Sequence, residues 1–474
     1  MRSRQLEVTI NPNSGAIQEL HIAGDATGMS WTTSNAETPS HPGSSDWGLG
    51  YFSFGYGHLH RFETPNEVFL QSSSARVHYC AGDIRVTVER EFTEAGCLKE
   101  RYQFQNVAKD ARRLACLGVF VPFNDSYPDA ATCRTRRCHA HIWCGGHSAY
   151  VCAIRMGATP PHLGLVVTQG RLNGYAIHNR TTYYSTSNTR GDIALLAADI
   201  RITESAIDLP PAQAYSIEWV VFPHVGWDDF LEKARLSPQF LDVRADSYTV
   251  EDGRSCVLQI RDQRAVEVPG AASVDMSKGV QSFSLPVERG SQPFFEVPVR
   301  YDKYSTRAVV HTPGNIHQLV ERRVEFIRER QQVLNPSHPL HGAYLVYDNE
   351  LDVPVTRPRR EDFSEGRERV GMGVLLARHA AQTGSQASHE SLRLYYRFVR
   401  NKLQDGDYNT YSNIRRDDRR LYNYPWVVQL YLELYRVFGD AQFLRDAVGT
   451  VRAHYRNGGN RHYSFHMPIL QSLE

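Results

Sequence analysis

The sequence predicts a multidomain β + α protein: a large N-terminal β-sandwich, a small β connector and a C-terminal partial (α/α) toroid. Three observations predict it. Up to about residue 225, short apolar runs alternate with period two between Gly, Asn and Pro turns, the pattern of a large sandwich. From 226 to 314 short strands continue after one short helical run, WDDFLEK. Beyond Pro313 the period changes: Ile316, Leu319, Val320, Val324 and Ile327 recur at helical spacing. The expected domains are 1–225, 226–314 and 315–474.

In the first domain, strands are expected at 6–10, 77–80, 84–92, 98–107, 114–121, 163–168, 175–178, 193–197 and 216–222. In the connector they are expected at 256–260, 265–268, 280–285 and 294–299, with no chemistry attached. Helices are expected at 315–334, 364–383, 388–403, 425–438 and 441–456. Ser364 reads as an N-cap, Gly384 as a C-terminal stop, and Pro425 is tolerable in a first turn. Loops rich in Tyr, Asn, Asp and Arg separate these helices, so helical hairpins with functional loops on one side are expected.

Composition bounds the function. Hydrophobic content of 41% against 22% charged residues supports a packed core rather than disorder. A formal net charge of +1 argues against bulk nucleic-acid or acidic-membrane binding. The N-terminus runs straight into an alternating strand without the apolar region of a secretory signal, and no run reaches membrane-span length. With Met1 as the native start, a cytoplasmic chain is expected. Eight cysteines are too sparse for a disulfide scaffold and are expected as free, mostly buried thiols.

The densest chemistry lies in 124–156, NDSYPDAATCRTRRCHAHIWCGGHSAYVCAIRM. Read as a strand, Cys138, Ala140, Ile142 and Cys144 form a small apolar face, while His139, His141 and Trp143 form the other. Two imidazoles beside an indole make a floor for a polar, ring-shaped ligand, flanked by Arg136, Arg137 and His147. The bland alternative is a hydrogen-bonded inner face of a sheet. The segment GYFSFGYGHLHR (50–61) reads either as a turn-rich strand pair or as a pliable loop carrying His58 and His60 to a groove. Zinc is one candidate cation, with Cys133, Cys138, His139, His141, Cys144 and His147 as ligand types. Their spacing is not that of a finger, and a regular strand sends thiols and imidazoles to opposite faces. Calcium through Asn124, Asp125 or Asp129 is the other.

Five stretches carry a resemblance: FNDSYPDAATCRTRRCHAHIWCGG (123–146), SNTRGDIAL (187–195), HGAYLVYDNE (341–350), DFSEGRERVGMGVLLARH (362–379) and YNYPWVVQLYLELYRVFGD (422–440). Together they resemble a six-hairpin glycosidase-like family overlapping polysaccharide lyases that remove rhamnose capping glucuronate. The resemblance implies a carbohydrate-active enzyme, an acidic oligosaccharide or polysaccharide as partner, and β-elimination. A complete barrel of this type has six hairpins. About five helices precede Glu474, so an incomplete toroid is expected, either a fragment or a remnant.

A lyase must neutralise the uronate carboxylate and supply a base and an acid. The candidate catalytic residues are His139, His141, Arg137, Tyr424 and Glu350. The candidate substrate-binding residues are Trp143, Arg136, His58, His60, Asn124, Arg359, Arg360, Arg415 and Trp426. A glycoside hydrolase would instead need two carboxyls about 5–5.5 Å or about 6.5–9.5 Å apart. Glu350 with Asp352, or Asp362 with Glu365, are the candidates, although acids at a helix start usually serve its dipole. Asp348, Glu350 and Asp352 would share one face of an extended strand. A non-catalytic glycan-binding remnant is the third class.

Overall fold

The computed structural model describes residues 1–33, 47–126, 128–179, 191–277, 279–288, 290, 292–356, 363–367 and 369–461. The chain divides into two compact units, Met1–Pro313 and Gly314–Glu474. The first is built of antiparallel sheets and the second of helices, a mixed β and α multidomain architecture. No described helix is long and apolar enough to cross a membrane.

Among the described residues, the larger sheet of the first unit has eight strands. From one edge they run Cys138–Gly145, Ser148–Arg155, His162–Gln169, Ala214–His224, Leu98–Asn106, Ile84–Phe92, Ser74–Ala81 and Glu67–Leu70. A five-stranded sheet runs Gly174–Asn179, Gly191–Ala198, Cys116–Phe120, Gly50–Ser53 and His60–Phe62. Their inner faces share one apolar core, in which Phe62 packs edge-on against Tyr79 and Phe104. Alternation sorts the residues: along Leu98–Asn106 every second side chain, starting at Leu98, is buried.

That rule carries a charge inward. Glu100 is enclosed with Arg90 at 2.8 Å, and it also accepts from Tyr102 Oη (2.9 Å), Trp47 Nε1 (2.7 Å) and Trp219 Nε1 (2.9 Å). Gly48, at φ +92°, makes room for the guanidinium, because a Cβ there would lie 2.0 Å from Arg90 Nη2.

A second small core covers the outer face of the larger sheet, where helix Trp227–Ala234 lays Phe230 and Leu231 over Cys152, Val166 and Phe222. His224 is buried there, with Nδ1 3.0 Å from Gly226 O and its ring 5.3 Å from that of His162. Burial holds the His224 pKa at about 4, below its ordinary 6.5. Burial also lowers that of His162. The unfolded chain binds a proton at His224 near pH 6.5 and the folded chain only near 4, so this contribution is intact above 6.5 and drains away as pH falls to 4. The full loss is roughly 3 kcal/mol. Urea unfolding midpoints followed from pH 7 to pH 4 are expected to fall less steeply in His224→Gln than in the parent; equal slopes would reject the assignment.

The first unit also holds the strand pairs Leu6–Ile10 with Ile17–Ile22 and Arg112–Leu114 with Ile207–Leu209, and a smaller pair of sheets on its own core. One sheet runs Val243–Ala245, Ser255–Arg261, Val280–Pro286 and Ala272–Ser277; the other runs Val266–Glu267, Phe294–Tyr301 and Tyr304–His311.

In the second unit the helices are Ile316–Phe326, Val370–Thr383, Gln386–Phe398, Asn423–Phe438 and Ala441–Arg456. The first and third run on in a wider turn, Ile327–Gln331 and Val399–Leu403. Gly384 and Gly439 end their helices in the left-handed region at φ +68°. His379, late in Val370–Thr383, lies 2.8 Å from Glu321, midway along Ile316–Phe326. Arg378 and Glu433, both late in their helices, meet at 2.9 Å, so Val370–Thr383 and Asn423–Phe438 are parallel. Residues 363–367 and 404–422 therefore gather at one end of the unit, where Arg367 meets Asp418. Ser364 is not the N-cap expected from sequence, because the helix starts at Val370. The backbone before it is used elsewhere: Gly366 N donates to Ser412 O at 2.8 Å, and Glu365 Oε1 accepts from Ile414 N at 2.5 Å.

Candidate active site

The strand Cys138–Gly145 is the edge of the eight-stranded sheet and has the two faces its alternation predicts. Cys138 and Cys144 are buried in the sandwich core, with Ala140 and Ile142 packed against it. His139 and His141 are exposed on the other face, and Trp143 is half-buried opposite Tyr150. His139 is open to solvent as a residue, yet its ring is partly desolvated. That desolvation, with the neighbouring His141, lowers its pKa below the free imidazole value. A neutral, accessible imidazole at pH 7 can accept a proton.

Side chains missed by sequence reasoning hold this edge in place. Arg155 pairs in register with Cys138, and its guanidinium reaches Asp25 (2.7 Å), Thr27 Oγ1 (2.7 Å) and Thr135 O (2.5 Å). It ties the strand to helix Ala130–Arg136, which Asp129 caps by accepting from Ala131 N and Thr132 N at 2.9 Å. The sequence signal for that helix is Asp129 ahead of Ala-Ala-Thr; nothing local signals the Asp25–Arg155 pair.

Two expected ligand groups of this stretch lie inside. Arg137 is buried, donating from Nε to Ser126 Oγ at 2.6 Å and from Nη1 to Arg136 O at 2.8 Å. Asn124 is buried, its Nδ2 on Ser30 O at 3.1 Å and its backbone carbonyl accepting from Cys138 N at 3.0 Å. Arg136, at the helix end, is exposed. His58 and His60 pack ring to ring at 4.7 Å, and His60 stacks on Phe52 at 5.3 Å. His60 opens the edge strand His60–Phe62, with His58 just before it, at the far side of the five-stranded sheet from Gly174–Asn179, which neighbours Cys138–Gly145. The two imidazole pairs are therefore not brought together.

In the helical unit, Tyr347–Asp348 and Val353–Pro354 form a hairpin with Glu350 exposed at its tip. Asp348 Oδ1 accepts from Glu350 N (2.9 Å) and Leu351 N (3.0 Å), and Asp352 has φ +55°. The expectation of three acids on one strand face is thus corrected: the turn separates them. Asp352 accepts from Tyr347 Oη at 2.7 Å and pairs with Arg330 at 2.7 Å; these contacts lower its pKa. Tyr424 is enclosed, its pKa raised by burial and its ring 5.6 Å from that of His454. Trp426 packs partly on the helical core. Arg415 is exposed and pairs with Asp417 at 2.9 Å. Arg416, beside it, donates to three backbone carbonyls, of Asn401, Lys402 and Gln404. At the same end, Arg367 Nη2 holds Asp418 at 2.8 Å. Arg359, Arg360 and Asp362 lie outside the described residues.

The two faces of Cys138–Gly145 separate thiols from imidazoles, so the zinc set does not converge. Among the described residues no three His, Cys, Asp or Glu side chains are grouped to hold a metal. For calcium, Asn124 is buried with its Nδ2 donating to Ser30 O, and Asp129 is occupied by its helix cap.

No family model matches the chain, and no curated protein matches it. Among solved structures it is similar to one described as the polysaccharide lyase BACCELL_00875, with 37% identity and a TM-score of 0.87, covering 99% of this chain and 71% of that one. A galactose mutarotase related enzyme from Lactobacillus acidophilus (11% identity, TM-score 0.32, 48% of this chain and 98% of that one) is too distant to carry an argument. So is the heparan sulfate lyase HepC from Pedobacter heparinus (9%, 0.26, 60% and 38%). Identity of 37% across nearly the whole of this chain means that it belongs to the same family as the polysaccharide lyase BACCELL_00875.

Proposed function

We propose that the protein is a polysaccharide lyase that cleaves at glucuronate and removes a rhamnose cap by β-elimination. The observation that carries this reading is the likeness to a polysaccharide lyase at 37% identity over 99% of the chain. In the proposed step, neutral His139 takes the proton from C5 of the glucuronate. The electron pair forms the C4–C5 double bond, the C4–O bond breaks, and His141 protonates the departing rhamnose oxygen. The exposed guanidinium of Arg136, three residues before His139, faces the carboxylate and tolerates the charge that develops there. The buried side chain of Arg137 positions the turn between them. The helical hairpins belong, in this reading, to an (α/α) toroid.

Hydrolysis by paired acids has weaker support. Asp352 is held ionised by Tyr347 and Arg330, Glu350 stands alone at a hairpin tip, and Glu365 is spent on Ile414 N. The reactions differ in one product. Elimination leaves a double bond conjugated to the carboxylate, which absorbs in the near ultraviolet, whereas hydrolysis leaves none. With rhamnose-capped glucuronate oligosaccharide, released rhamnose and new absorbance are expected to rise together. Rhamnose without absorbance would replace the lyase by a hydrolase, and neither signal would leave a glycan-binding remnant.

A further inference from the structure

Trp143 does more than extend the imidazole face. It forms one wall of a cavity of about 500 Å³ between the eight-stranded sheet, helix Trp227–Ala234 and the strand Tyr304–His311. The size is that of an ordinary small-ligand site. Aromatic rings dominate its walls. Trp227 stacks on Phe230 at 5.3 Å with 14° between planes and remains 41% exposed; Tyr248 is 45% exposed. A large exposed ring on a rigid support is a stacking surface waiting for a partner.

The polar lining is specific. Asp242 is buried and held by Arg235 (2.7 Å) and Arg244 (3.1 Å), and Arg244 and Arg307 both face the cavity. Asp242 is thus matched by two guanidiniums, whereas Arg307 pairs with Glu296 at 3.5 Å and donates to Cys144 O and Asn173 O at 3.2 Å. Thr306 is only 5% exposed, and its hydroxyl has no hydrogen-bond partner. An unpaired buried hydroxyl costs about 1–3 kcal/mol. Nearby joints of the same unit do not carry that cost: Ser148 Oγ both donates to Leu241 O and accepts from Leu241 N, and Gln239 Nε2 serves two carbonyls. Gly145 lets the cavity form, since a Cβ there would lie 2.4 Å from both Thr306 Oγ1 and Trp143 Nε1.

A pyranose ring fits these features together. Its C–H face stacks on an indole, its hydroxyls satisfy Thr306 and the Asp242–Arg244 pair, and a uronate carboxylate meets the excess guanidinium. We propose that this cavity binds a pyranose residue of the acidic polysaccharide, as a subsite next to the sugar that is cleaved. Two residues of extended strand, about 6.6 Å, separate His141 from Trp143, so the chain of sugars runs along the strand from imidazoles to cavity. The placement beside the cleaved sugar rests on the lyase reading, but the binding itself does not.

The test reads binding without turnover. A glucuronate oligosaccharide lacking the rhamnose cap is titrated into the full chain by calorimetry. Trp227→Ala and Thr306→Val are each expected to weaken binding about tenfold or more, the effect of losing one anchor. Thr306→Val, which removes an unpaired hydroxyl, is expected to melt no lower than the parent, so its lost affinity cannot be blamed on unfolding. With the capped substrate, both variants are expected to raise KM and leave kcat unchanged. Equal affinity in parent and both variants, or no binding by the parent, overturns the subsite. Binding lost in the variants, with no turnover by the parent, keeps the subsite and overturns the lyase.

Discussion

His139→Ala and His141→Ala are each expected to lower kcat/KM on rhamnose-capped glucuronate by about 10²–10⁴-fold, the usual worth of a positioned acid or base. Neither is expected to shift the melting midpoint, because both rings stand on the solvent face of an edge strand whose opposite face fills the core. The pH profile should carry the signature of His139. As a base it must be neutral, and partial desolvation together with His141 holds its pKa below 6.5. Activity is therefore expected to persist at pH 6.5 and to fall on the acid side of it, as the imidazole gains its proton. His139→Gln should abolish that acid limb along with the rate. Full activity in both alanine variants would remove this face from the chemistry.

What was legible in the sequence is what local periodicity reports. The strand Ile84–Phe92 and the helix Ala441–Arg456 fall where alternation and helical spacing put them, since each buries one face along its whole length. The His139–His141–Trp143 row was legible for the same reason. Contacts between distant segments were not. Ser364 resembles an N-cap, but the chain after it hydrogen-bonds to Ser412 and Ile414, nearly fifty residues away, and the helix starts late. Glu350 resembles a strand acid until Asp348 turns the chain under it. Asn124, Arg137 and Tyr424 have polar atoms that suit a ligand, and their burial depends on neighbours that no local window contains. Thr306 and Trp227 carried no signal, because a cavity belongs to several elements at once.

Glu100→Ala is expected to be among the most destabilising single changes in the first unit, at about 3–5 kcal/mol, because it strips a buried guanidinium of its counter-charge. Alternation alone would turn an apolar residue inward at this position. The protein instead places a carboxylate there and surrounds it with Arg90, Tyr102, Trp47 and Trp219, each within 2.9 Å. Removing Glu100 orphans four donors, one of them charged. Removing Arg90 leaves the carboxylate with three neutral donors, so Arg90→Met should cost less. Glu100→Gln should fall between Glu100→Ala and the parent. Its amide oxygen can still accept from the two indoles, but its amide nitrogen then faces the guanidinium with a donor. Urea unfolding followed by tryptophan fluorescence reads the order directly, since Trp47 and Trp219 contact the site. A Glu100→Ala cost under about 1 kcal/mol would show that water or repacking replaces the carboxylate. Strand Leu98–Asn106 lies four places in from the imidazole edge, with three strands between them. Activity per folded molecule is therefore expected to survive all three changes, which separates the core that carries the sheet from the edge that carries the chemistry.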